Sequence, residues 1–138
     1  MLNLNALMQV NPLVPVAVAV MVMAVGMVWY SVQVFGKKWM SDVGLSIEVM
    51  NKAPVASYVV SIVASLVLGV FMDYFATRLN LHTWQGGLVL GAKMWLAFVA
   101  TSMAMNYVFA RRPRRLFLID IGYQLVIFIL AGLIAVLV

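Results

Sequence analysis

Residues Val55–Thr77 read VASYVVSIVASLVLGVFMDYFAT, 23 residues with one charge, Asp73. An α-helix of that length rises about 34 Å at 1.5 Å per residue, enough to cross a hydrocarbon core about 30 Å thick. Pro54 stands just before it, where a helix start tolerates a residue without an N–H. On either side lie three more runs of the same kind, at 13–35, 86–109 and 116–138. The whole chain agrees: 66% of its 138 residues are hydrophobic, 9% are charged, and the mean hydropathy is +1.09. Soluble domains carry about a quarter charged residues, so a soluble fold is excluded. The expected fold is an all-α membrane protein. It is a single domain over residues 1–138, an up-and-down bundle of four transmembrane helices at about 13–35, 55–77, 86–109 and 116–138. No length is left for a separate catalytic domain. Residues 1–12 carry no side-chain charge, so the positive leading region of a cleaved signal is missing and the first span is expected to be retained.

The charges set an orientation. Lys37, Lys38 and Lys52 in the first loop and Arg111, Arg112, Arg114 and Arg115 in the third contrast with Arg78 alone in the second. The positive-inside rule puts the first and third loops in the cytoplasm and both termini outside. Trp29, Tyr30, Trp39, Tyr58, Tyr107 and Phe117 then fall near one interface, and Tyr74, Phe75 and Trp84 near the other. The net charge of +5 rests on basic residues that are too few for nucleic acid and, all but Lys93, confined to loops. Lys37, Lys38 and the four arginines around Pro113 instead anchor the topology and attract anionic lipid headgroups. Between the first two spans, Ser46 is positioned to cap a short helix reaching Asn51.

Chemistry is scarce. With no cysteine, one histidine (His82) and four acidic residues, neither a metal site nor a cofactor is expected. The eleven methionines lie in apolar runs and read as packing or lipid-facing residues. No catalytic constellation is visible.

Three patterns remain. In the second span Ser57, Ser61, Ser65 and Gly69 recur every four residues, and Asp73 continues the row. Small residues so spaced let another backbone approach, and Gly87, Gly91, Ala97, Ala100 and Ala104 offer the same in the third span. Asp73 and Lys93 sit at similar depth from the second loop, and charges in lipid need partners, so an Asp73–Lys93 ion pair is expected. Finally, Tyr30, Gln33, Tyr58, Ser102, Asn106, Asp120, Tyr123 and Gln124 fall at comparable depth near the basic end. They should form a polar layer, since lipid offers polar groups no other partners. The third span has features on two faces, which points to a homo-oligomer with that span, alone or with the second, near the subunit contact.

The run Trp29-Tyr30-Ser31, then Phe35-Gly36-Lys37 and Trp39, resembles a family of small bacterial membrane proteins, domain of unknown function 1761. So do Phe98-Val99-Ala100-Thr101, Asn106, Leu116-Phe117-Leu118-Ile119 and Gly122-Tyr123. The chain departs from that family's pattern with Val32 in place of a proline, Asp120 in place of an amide and Gln124 in place of a histidine. The resemblance implies a four-helix protein of the bacterial inner membrane and brings no activity with it. Three functions stay open: a homo-oligomeric subunit moving a small solute, ion or lipid; an accessory membrane protein whose polar groups only hold helices together; and, least supported, an enzyme on a lipid or small molecule. A polar cavity entering the bundle favours the first and a dry, fully paired core the second. Any soluble partner is unspecified.

Overall fold

The computed structural model describes residues 10–138, so for residues 1–9 the expectation of a missing leader region lies outside the described residues. Among those described, all regular structure is helical. The helices are α1 (Leu13–Trp29), α2 (Gly36–Val43), α3 (Ile47–Asn51), α4 (Val55–Arg78), α5 (Trp84–Phe109) and α6 (Arg114–Leu137). Inside α5, Trp95–Ala100 is wound as a π-helix. Helices α4, α5 and α6 are long and apolar enough to cross a membrane, and α1 is a shorter apolar helix of 17 residues.

The apolar run from Leu13 reads as helix through Phe35, yet α1 stops at Trp29. Beyond it the chain doubles back. The Phe35 N–H donates to the Trp29 carbonyl (3.2 Å) and the Gly36 N–H to the Ser31 carbonyl (2.8 Å). Gly36 passes so close to the Tyr30 and Ser31 carbonyls that any Cβ there would collide with backbone. Hydropathy cannot register this turn, because Val32 and Val34 within it are as apolar as the helix they follow.

Elsewhere local chemistry sets the ends. The Ser46 hydroxyl accepts from the Val49 N–H (3.4 Å) and starts α3, as its position implies. The Thr83 hydroxyl accepts from the Gly86 N–H (3.2 Å), which moves the start of α5 to Trp84, ahead of the apolar run from Gly86. Pro113 is extended, with ψ 136°, and α6 begins directly after it. Asn80 and Arg111, both at φ 51°, close α4 and α5 in left-handed turns. There the Leu81 N–H reaches the Ala76 carbonyl and the Arg112 N–H the Tyr107 carbonyl, satisfying carbonyls that the helices leave open.

Helix α6 is the centre of the packing, in contact with α1, α2, α4 and α5, whereas α4 and α5 barely touch. Two close approaches explain the arrangement. Gly87 and Gly91 of α5 lie against Gly132 and Phe128 of α6, where an added Cβ would meet backbone carbonyls. Gly69 of α4 lies against Pro15 of α1, where an added Cβ would meet the Pro15 Cα. Val14, Val18 and Val22 of α1, Met72 and Ala76 of α4, Leu90 of α5, and Ile127 and Ala131 of α6 fill the core. Most other large apolar side chains of α4 and α5 face outward, as lipid-facing residues do.

Because overpacking costs about 1–3 kcal/mol even where neighbours can shift, Gly91→Leu is expected to separate α5 from α6 and lower the unfolding midpoint in detergent. Gly86→Ala, whose Cβ would meet only the Leu81 and Thr83 side chains at 3.3 Å or more, should leave the midpoint nearly unchanged. Equal effects would contradict this packing.

Candidate functional site

At the basic end of the bundle, one carboxylate collects three donors. Asp120, one turn into the apolar part of α6, accepts from the Tyr30 hydroxyl (2.8 Å) and the Trp39 indole N–H (2.9 Å) on Oδ1, and from the Tyr107 hydroxyl (2.5 Å) on Oδ2. The donors come from the end of α1, from α2 and from the end of α5. Tyr123, one turn further along α6, stacks edge-on against Tyr30 at 5.1 Å, and its hydroxyl donates to the Val22 carbonyl (3.3 Å). Trp29 donates to the Ile119 carbonyl (3.1 Å), and Trp95 to that of Ile121 (3.2 Å). The indoles thereby complete backbone acceptors along α6.

Helix α2 is held to α6 at a second point. Arg115 grips Asp42 through two parallel bonds, Nε to Oδ2 (2.8 Å) and a terminal nitrogen to Oδ1 (2.6 Å). This bidentate geometry and its charge hold the Asp42 carboxyl below the usual carboxylate range. Lys37, Lys38, Arg111, Arg112 and Arg114 are exposed around it.

The expected polar layer forms with different members. Tyr30, Asp120 and Tyr123 come together, and Tyr58 and Gln124 lie beside them along a cleft. Gln33 is exposed in the turn after α1. Ser102 and Asn106 point away from α6, and the Ser102 hydroxyl donates to its own helix at the Phe98 carbonyl (2.7 Å). The cause is the π-helical segment. Counted from Gly91 at 3.6 residues per turn, the face toward α6 would continue near Phe98, Ser102 and Asn106. The wider π turns advance it by about one residue, to Val99, Met103 and Tyr107. Ala97, Ala100 and Ala104 are accordingly not buried against another helix.

Trp39 and Tyr107 are the site residues that sequence reasoning assigned only to an interfacial belt. Trp39 had a legible signal, since it lies on the same face of a short helix as Asp42. Tyr107 had none without knowledge of the π turns.

The Asp73–Lys93 ion pair does not form. The one ion pair among the described residues is Asp42–Arg115. Lys93 is exposed on α5, while Asp73 on α4 is 7% exposed and accepts from the Asn11 backbone N–H (2.8 Å), so it fastens the start of α1. The pair required α4 and α5 to be packed neighbours, and α6 and α1 take those contacts instead. The small-residue row on α4 divides in two. Ser65, Gly69 and Asp73 are buried against the bundle, whereas Ser57 and Ser61 are exposed at the edge of the cleft.

That cleft, about 790 Å³, lies between α1, α4 and α6. Its inner wall is apolar, formed by Val22, Met23, Leu68, Ile127 and Phe128. Toward the basic end it becomes polar, with Tyr30, Ser31, Asn51, Ser57, Tyr58 and Gln124, and Met50 to Ala53 lies across that end. Asp120, Asp73 and Lys93 do not line it. No group of histidine and acidic side chains among the described residues could hold a metal.

Apolar helices able to cross a membrane, a buttressed carboxylate and a lateral cleft together define a small helical membrane protein. The chain belongs to the family described as protein of unknown function, DUF1761, which it matches over residues 14–136. No curated protein and no solved structure matches it.

Since a buried donor left without an acceptor costs about 1–3 kcal/mol, Asp120→Ala, which releases three part-buried donors, should destabilise the bundle by an amount of that order. Near-ultraviolet circular dichroism of the surrounding tryptophans should change with it. In a double-mutant cycle with Trp39→Phe the losses should be clearly non-additive, and additive losses would mean that the indole and carboxylate do not cooperate.

Proposed function

We propose that this protein is a four-span subunit of the bacterial inner membrane that takes a lipid-like amphipathic molecule into the cleft and moves it. In this reading α1 completes the bundle as a fourth span, since 17 residues lie at the lower limit of the about 17–25 that a span needs. The first and third loops face the cytoplasm. The protein works as a homo-oligomer, with the last turns of α5 at the contact between copies: beyond its π turns α5 leaves Met105, Val108 and Phe109 exposed.

The cleft carries the reading. It is mostly apolar, opens sideways between helices, and gathers its polar groups at one end, which matches an amphipath better than a hydrated ion or polar solute. An ion relay finds less support. Asp73 and Asp120 are already bonded within the protein, and neither lines the cleft. The accessory reading also has an observation behind it: among the described residues every buried side-chain nitrogen and oxygen has a hydrogen-bond partner.

Reconstitution separates the two. In vesicles with a fluorescent phospholipid in both leaflets and a membrane-impermeant quencher outside, the protein should raise the quenched fraction above that of protein-free vesicles. Ala64→Trp, which fills the cleft, should return it to the protein-free level. If the wild-type protein behaves like empty vesicles, the accessory reading replaces transport.

A further inference from the structure

The cleft has a direction, and its chemistry changes along it. On α4 the lining runs from Ser57 and Tyr58 through Ser61, Ala64 and Ser65 to Leu68. From Ser57 to Leu68 the helix rises about 16 Å, close to the depth of one leaflet, half of the about 30 Å core. Along that path the lining passes from hydroxyls and amides to aliphatic and aromatic carbon. The serine hydroxyls at mid-depth are turned back on their own helix: Ser61 donates to the Ser57 carbonyl (2.8 Å) and Ser65 to the Ser61 carbonyl (2.6 Å). The middle of the cleft therefore offers an alkyl chain a surface whose donors are spent.

The mouth differs. Lys52 stands between Asn51 and Ala53, two residues that line it, and is exposed. It makes no ion pair among the described residues, and Glu48, one turn back on α3, is not within ion-pair distance of it. The Tyr58 hydroxyl and the Asn51 amide add neutral donors at the same end. Lys52 is not itself part of the lining, but its place between two lining residues puts a cation next to the mouth, on the side where the headgroup of a lipid would emerge if its acyl chain filled the apolar part. A volume of about 790 Å³ falls within the range of about 300–1,000 Å³ that encloses one drug-sized ligand, which suits one chain with its headgroup region rather than a whole two-chain lipid.

Resting on the reading of the cleft given above, we infer that its occupant is an anionic lipid: one acyl chain lies along Leu68, Ile127 and Phe128, and the negatively charged headgroup sits at the mouth beside Lys52. A second chain, where there is one, stays in the surrounding bilayer.

Photolabelling of the intact protein in bilayer discs tests this. The probes are phosphatidylglycerol and phosphatidylcholine carrying the same photoactivatable acyl chain, and adducts are mapped by mass spectrometry. Labelling at Leu68 of α4 or Phe128 of α6 should exceed that at Phe98, which is exposed on α5 away from the cleft, and should be stronger with the anionic probe. Unlabelled lysophosphatidylglycerol should suppress cleft labelling while sparing Phe98, a control that needs no variant. Lys52→Gln should lower the ratio of anionic to zwitterionic labelling in the cleft about fivefold, the equivalent of about 1 kcal/mol for one lysine at a membrane surface. Equal cleft labelling by both probes, or a ratio unmoved by Lys52→Gln, overturns the anionic headgroup and leaves an amphipath in the cleft. Cleft labelling no greater than that of Phe98 overturns both.

Discussion

Hydrocarbon supplies no hydrogen-bond partners, and the structure depends on that constraint. Every polar side chain drawn into the bundle must be satisfied by the protein itself. Asp120 is the clearest case, because its two oxygens take donors from the end of α1, from α2 and from the end of α5. Asp73 does the same at the other end with a single backbone donor from Asn11. Between them, serine and threonine hydroxyls on α4 and α5 turn to carbonyls of their own helices. Among the described residues, buried polar side chains are held where another element or their own helix answers them.

This requirement connects the aromatic cluster to the cleft. Trp39 fixes one side of α2 to Asp120, and Asp42 fixes the same helix to Arg115, so α2 is tied to α6 at two points. From there the chain runs through α3 to Met50–Ala53, which lies across the polar mouth. A carboxylate that does not line the cleft thus anchors the helix from which the chain leads to part of its lining. The residue with the most hydrogen-bond partners stands outside the cleft, whose lining is made of plainer side chains.

The architecture was legible in the sequence wherever long-range hydropathy or local capping decides it. The run at Val55–Thr77, the Ser46 cap and the small residues at Gly69, Gly87 and Gly91 all describe features readable from spacing alone. Two features were not. The end of α1 at Trp29 depends on a reverse turn at Gly36 and on indole and phenol donors reaching α6, none of which alters hydropathy. The π turns at Trp95–Ala100 advance the inner face of α5, which replaces Ser102 and Asn106 with Tyr107. The Asp73–Lys93 pairing erred for a third reason, because it assumed that helices adjacent in sequence are adjacent in space, and the glycine contacts of α6 decide otherwise.

The central claim is that lipid surrounds the apolar faces, with both basic loops on one side of the membrane. The chain contains no cysteine, so single substitutions report cleanly. Cysteine placed at Lys38, His82, Arg112, Val60 or Phe98 is treated in intact cells with a membrane-impermeant maleimide. The account predicts labelling at His82 alone, labelling at Lys38 and Arg112 only after permeabilisation, and none at Val60 or Phe98 in either case. Reaction at Val60 or Phe98 in the native membrane, or at Lys38 and Arg112 from opposite sides, would contradict it.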